Sequence, residues 1–174
     1  MMNPEILQQW RGNTIILTAP GQLNHRAITI QIACDLEAYL SELLSAFFVS
    51  QNPLVSHKNA LSELYSEGRV LSSLKKMADV ALYLGLISEE QRYDLKSLSK
   101  LRDRYAHDRH RKQLYEEPEL FALITRTNLY KNNRSDLNGF DQQAILMCIK
   151  EQLIFDLKAR LRSINTSTSQ VSDA

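Results

Sequence analysis

Apolar residues recur along this chain mostly at intervals of three or four, the period of helices with one buried face. Asn24 suits an N-cap, and Leu23, Ala27, Ile30, Cys34, Leu40, Leu43, Leu44 and Phe47 predict a long helix to about Val49. Asn52-Pro53 starts a short helix to about Tyr65. Val70, Leu71, Leu74, Met77, Ala78, Ala81 and Leu82 mark another, from Arg69 to Leu84, and Gly85 stands where a left-handed C-terminal residue belongs. Ser88-Glu-Glu-Gln91 reads as a capping box for a helix that turns Tyr93, Leu95, Leu98, Leu101 and Tyr105 inward and ends between His107 and Arg111. Pro118 opens a helix through Leu120, Phe121, Leu123 and Ile124, towards Leu129. Residues 131–139 are a polar loop, and Phe140 to about Ile164 is the last long helix.

The two ends carry less pattern. Pro4 to Arg11 can form a short helix, and Thr14 to Thr18 is strand-like but has no partner run. Residues 1–21 are therefore read as an N-terminal arm, 22–164 as one all-α domain, and the Ser/Thr-rich 165–174 as a disordered tail. The expected fold is an all-α bundle of five to six helices. Five glycines and four prolines agree with it.

Composition narrows the function classes. The chain is 44% apolar and 24% charged, an ordinary globular balance. Its net charge of +1 gives no general attraction to nucleic acid. Cys34 and Cys148 both fall in apolar helical patterns and read as reduced core residues. No Cys or His spacing suggests zinc, so no metal and no cofactor are expected. No apolar run approaches the length of a membrane span, and Thr14 to Ala19 is too short for a signal peptide. A cytoplasmic location is expected.

Charge changes the picture in one place. From Lys100 to Lys112 six Lys/Arg face two Asp, a local +4. This stretch contains Arg102-Asp103-x-x-x-His107. An imidazole can take the proton of an RNA 2′-hydroxyl, and a guanidinium can hold the charge that grows on the phosphate. Asp103 can orient the imidazole, while Arg104, Arg109, His110, Arg111 and Lys112 can attract a nucleic-acid backbone. The plainer alternative is that these cations stabilise the negative end of a helix, with Asp103–His107 and Arg104–Asp108 as surface pairs. On an ideal helix Arg102 and His107 lie about 140° apart. They converge only if the helix ends between them or two copies meet across a two-fold axis.

The remaining polar candidates are weaker. His25 and His57 lie near helix starts and read as solvated or capping, and Trp10 and the tyrosines read as packing. No exposed polar helix follows a short Gly-containing turn. The helix after Gly85 opens on Glu89 and Glu90, which would repel a DNA backbone, so direct sequence-specific DNA binding is not expected.

The run from Leu71 through Leu84-Gly-Leu-Ile87 to Leu101-Arg-Asp-Arg-Tyr-Ala-His-Asp108 resembles the mannitol operon repressor family. The likeness covers about residues 60 to 110. Glu67-Gly68-Arg69 stands where that family has a proline-leucine-glycine segment, so it does not extend to a mannitol-specific role. The resemblance implies an all-α cytoplasmic bacterial regulator of transcription without a DNA-reading motif, acting through a protein partner. Arg102-Asp103-x-x-x-His107 is also similar to the signature of the HEPN superfamily. That likeness implies an all-α homodimer and, in its enzymatic members, metal-independent RNA cleavage with Arg102 and His107 at the site.

Overall fold

The computed structural model describes residues 2–9, 25–51, 65, 71–107 and 118–172. Among them there is no strand. Among the described residues the helices are α1 (helical over 4–9), α2 (His25–Gln51), α3 (Leu74–Tyr83), α4 (Glu89–His107), α5 (Pro118–Thr125), α6 (Asn128–Asn132) and α7 (Gln142–Ser172), and Tyr65 is helical too. The all-α expectation holds. The strand-like Thr14 to Thr18 and most of the helix expected over 53–65 lie outside the described residues.

Local chemistry places most helix ends. Ser73 caps α3 by accepting the Lys76 N–H, so the helix starts at Leu74, five residues after the start that the apolar pattern suggested. Gly85 (φ +68°) ends it. The Gly85 N–H reaches Leu82 O at 2.8 Å, and the Leu86 N–H reaches Ala81 O at 2.9 Å, which is the paired closure of a Schellman turn. The capping box of α4 forms as the sequence predicts: Ser88 N–H donates to Gln91 Oε1 at 2.9 Å and Gln91 N–H to Ser88 Oγ at 3.2 Å. Thr127 breaks the helix that opens at Pro118, bonding back to Ile124 O at 2.7 Å and accepting the Tyr130 N–H at 3.2 Å to start α6. Asp141 accepts the Ala144 N–H at 2.7 Å and starts α7.

The two longest helices, α2 and α7, pack along each other, and α3 and α4 pack on α2 and on one another. Leu36, Leu40, Leu43 and Leu44 of α2 meet Ile149 and Leu153 of α7 and Leu95 and Leu101 of α4 in one core. At 100° per residue Thr29, Ile32, Ala33, Leu36, Leu40, Leu43 and Leu44 form the buried stripe of α2. Cys34 lies about 160° from Leu36 on the same rule, and it is exposed. Its placement in the core is therefore corrected, as is that of Ala27, which is also exposed. Cys148 is buried, and burial pushes its thiol up to about 12, so it stays an inert thiol. Tyr93 does not face the core either. It is 45% exposed, with Lys131 Nζ 5.8 Å from its ring centre.

Polar seams flank this core. Lys150 of α7 reaches Asp35 of α2 at 2.8 Å and Glu151 at 3.2 Å. Burial alone would lower the lysine, but those two carboxylates outweigh it and raise its pKa. Asp79 of α3 receives Arg92 and Lys96 of α4, each at 2.6 Å. α7 also continues to Ser172, beyond the end expected near Ile164. Thr166 Oγ1 bonds back to Arg162 O and Ser163 O at 3.0 Å, which ties this hydroxyl to the preceding turn instead of ending the helix.

Candidate functional site

Arg102 and Asp103 sit in the last two turns of α4 and His107 is its final residue. The helix is continuous from one to the other. A break between them, one of the two ways for the pair to converge, is thus absent, and only a meeting of two copies remains.

Arg102 points into the bundle. Its Nη2 donates to Glu37 Oε1 of α2 at 3.0 Å. The same Glu37 oxygen accepts the Leu74 N–H, in the first turn of α3, at 3.0 Å. One carboxylate oxygen therefore joins three helices. Arg102 Nε lies 3.3 Å from Asp103 Oδ1 but makes no hydrogen bond, so Asp103 supplies charge at that edge rather than a directed bond. Arg102 is partly buried, with 29% of its side chain exposed.

The other candidates divide into two groups. Asp103 turns towards Arg102, and the expected Asp103–His107 pair does not form. Arg104 and His107 are exposed. Tyr105 is buried in the core. Arg26 of α2 donates from Nη2 to Ala106 O at 3.4 Å and places another cation at the carbonyl end of α4. Arg109, His110, Arg111 and Lys112 lie outside the described residues, as do Asp108, His57 and Trp10. Among the described residues no group of three or more His, Cys, Asp or Glu is placed to hold a metal ion. No helix among them is long and apolar enough to cross a membrane.

Two residues that the sequence reading passed over organise this helix. Glu37 is one. No spacing signal marks it, because its partners are 65 and 37 residues away. Asp94 is the other. It is 1% exposed and accepts the N–H groups of Asn128 at 2.6 Å and Leu129 at 2.9 Å, the first turn of α6. A readable sign existed here, since Asp94 stands in line with Leu98, Leu101 and Tyr105 on the inward face. Burial raises its pKa, outweighing the hydrogen bonds from Asn128 and Leu129.

No family model, no curated protein and no solved structure matches the chain.

Proposed function

We propose that this protein is a regulator of transcription of the mannitol-operon-repressor type, acting through macromolecular contacts rather than a DNA-reading helix. In this reading it is a cytoplasmic homodimer with a HEPN-like bundle, and the cationic end of α4, Arg104 and His107 with the basic run that follows, meets a protein or RNA partner. The residues of the Leu71 to Asp108 likeness support the class. The observation that carries the choice of a non-catalytic role is the pairing of Arg102 with Glu37. A guanidinium whose charge answers Glu37 and Asp103 is engaged in holding three helices, and a phosphate would have to displace those carboxylates to be clamped.

The second reading is a metal-independent ribonuclease with Arg102 as phosphate clamp, His107 as base and Asp103 beside them. What favours it is the fixed orientation of Arg102 together with an exposed His107 that a second copy can approach. Incubation with total RNA separates the two, with Arg102→Ala and His107→Ala run in parallel. The regulator reading expects intact RNA from all three proteins. Cleavage by the parent that both substitutions abolish transfers the assignment to the nuclease. For the regulator, a purified partner complex that Arg104→Glu breaks is the expected result, and sequence-specific DNA binding by the chain alone overturns it.

A further inference from the structure

Two buried side-chain amides receive the start of the chain instead of a neighbouring helix. Asn133, 1% exposed, follows α6, and its Oδ1 accepts the Met2 N–H at 2.7 Å while its Nδ2 donates to Leu129 O at 2.8 Å. Gln152 of α7, 5% exposed, accepts the Asn3 N–H at 2.6 Å. Met2 and Ile6 are buried in the core cluster, and Leu7 packs on it. Asn3 Oδ1 accepts the Glu5 N–H at 2.9 Å and so opens α1.

Both anchors lead on to the start of α4. Gln152 Nε2 donates to Asp156 Oδ1 at 2.8 Å, Gln91 Nε2 donates to Asp156 Oδ2 at 3.2 Å, and Gln91 Oε1 accepts the Ser88 N–H. On the other route Asn133 closes α6, whose first N–H groups rest on Asp94 of α4. Met2, Ile6 and Leu7 hold the helical residues 4–9 on the bundle, and a terminal segment seated in this way belongs to the part of a fold that opens locally before the rest.

We propose that residues 2–9 are a strap that controls the order of the first turns of α4 and of the α6–α7 turn. Seated, the strap satisfies two buried carbonyl oxygens and fixes the side chains that carry them. Released, it leaves Asn133 and Gln152 short of a donor, and both chains of hydrogen bonds loosen as far as Ser88 and Asp94. The far end of α4, held by Glu37, is outside both chains and keeps its order. The device is independent of the function proposed above.

Hydrogen exchange of the full-length protein, read by mass spectrometry, tests this with Met2→Asp and Asn3→Pro. The first puts a charge into the apolar seat. The second removes the N–H that Gln152 accepts, together with the Oδ1 that opens α1, and changes no side chain of the bundle. Each is expected to raise exchange at least tenfold over 88–95 and 128–139, with residues 36–44 of α2 unchanged. A rise confined to 2–9, or one spread evenly over all helices, overturns the proposal.

Discussion

The two ends of α4 use polar residues in opposite ways. At the N-terminal end the side chains from Ser88 to Lys96 serve the fold: a capping box, a link to Asp156, an Asp79 seam and a buried Asp94 that starts another helix. At the C-terminal end Arg102 is the charged side chain drawn inward, with Asp103 beside it, while Arg104 and His107 face solvent. Cationic density along the sequence thus does not say which side chain is tied into the bundle. Among the described residues of the most basic stretch, Arg102 acts as a structural tie while Arg104 and His107 are exposed.

Substitutions along α4 can break or sharpen this contrast. The largest effect belongs to Asp94. Asp94→Ala strands the Asn128 and Leu129 N–H groups and should lower stability by about 3 kcal/mol in urea unfolding. Its charge also sets a pH dependence. Because burial raises its folded pKa, its contribution is fully present below the ordinary aspartate value of 3.8 and is lost as pH rises through the folded value. The parent should therefore gain stability relative to Asp94→Asn as pH falls towards 3.8. Asp79 has the opposite sign. Burial would raise its pKa, but Lys96 and Arg92 outweigh that and lower it. Its contribution stands above 3.8 and fades as pH falls through the folded value, so Asp79→Asn should flatten the acid limb of the curve.

Arg102 comes next. Arg102→Ala leaves Glu37 without its charge partner and should cost about 1–2 kcal/mol, less than a fully buried pair because Arg102 is part exposed. Glu37→Gln should cost less than removal of the arginine, since an amide oxygen can still accept the Leu74 N–H. Equal losses in both variants would mean that the charge pair with Arg102, and not the Leu74 bond, carries the contribution of Glu37.

The smallest effects compare the two termini directly. Ser88→Ala should cost about 1 kcal/mol as a lost N-cap. His107→Ala should fall within about 0.5 kcal/mol of the parent, as expected for an exposed residue away from any tie. A larger loss at His107 than at Ser88 would invert the contrast drawn here.

Much of the fold was legible because its signals are local. Ser88 and Gln91 are three residues apart, Gly85 needs only its own φ, and Pro118 needs only the missing N–H of a first helical turn. Such features form from the neighbours that sequence supplies. The faces were harder. A broad apolar pattern put Cys34, Ala27 and Tyr93 on the buried side, and only the packing of the bundle turned them outward. For the candidate site, the sequence supplied the residues and the condition that Arg102 and His107 lie apart on one helix.

What the chain alone determined, then, is a set of helices, their caps and a cationic end to the fourth of them. Tertiary structure decided which groups those side chains meet: Glu37 for Arg102, the α6 N–H groups for Asp94, Asn133 and Gln152 for the first residues. These partners lie from 34 to 149 residues apart. Spacing along a helix encodes only what lies within a turn or two, whereas a buried carboxylate or amide is satisfied by whichever donor the packed bundle brings to it.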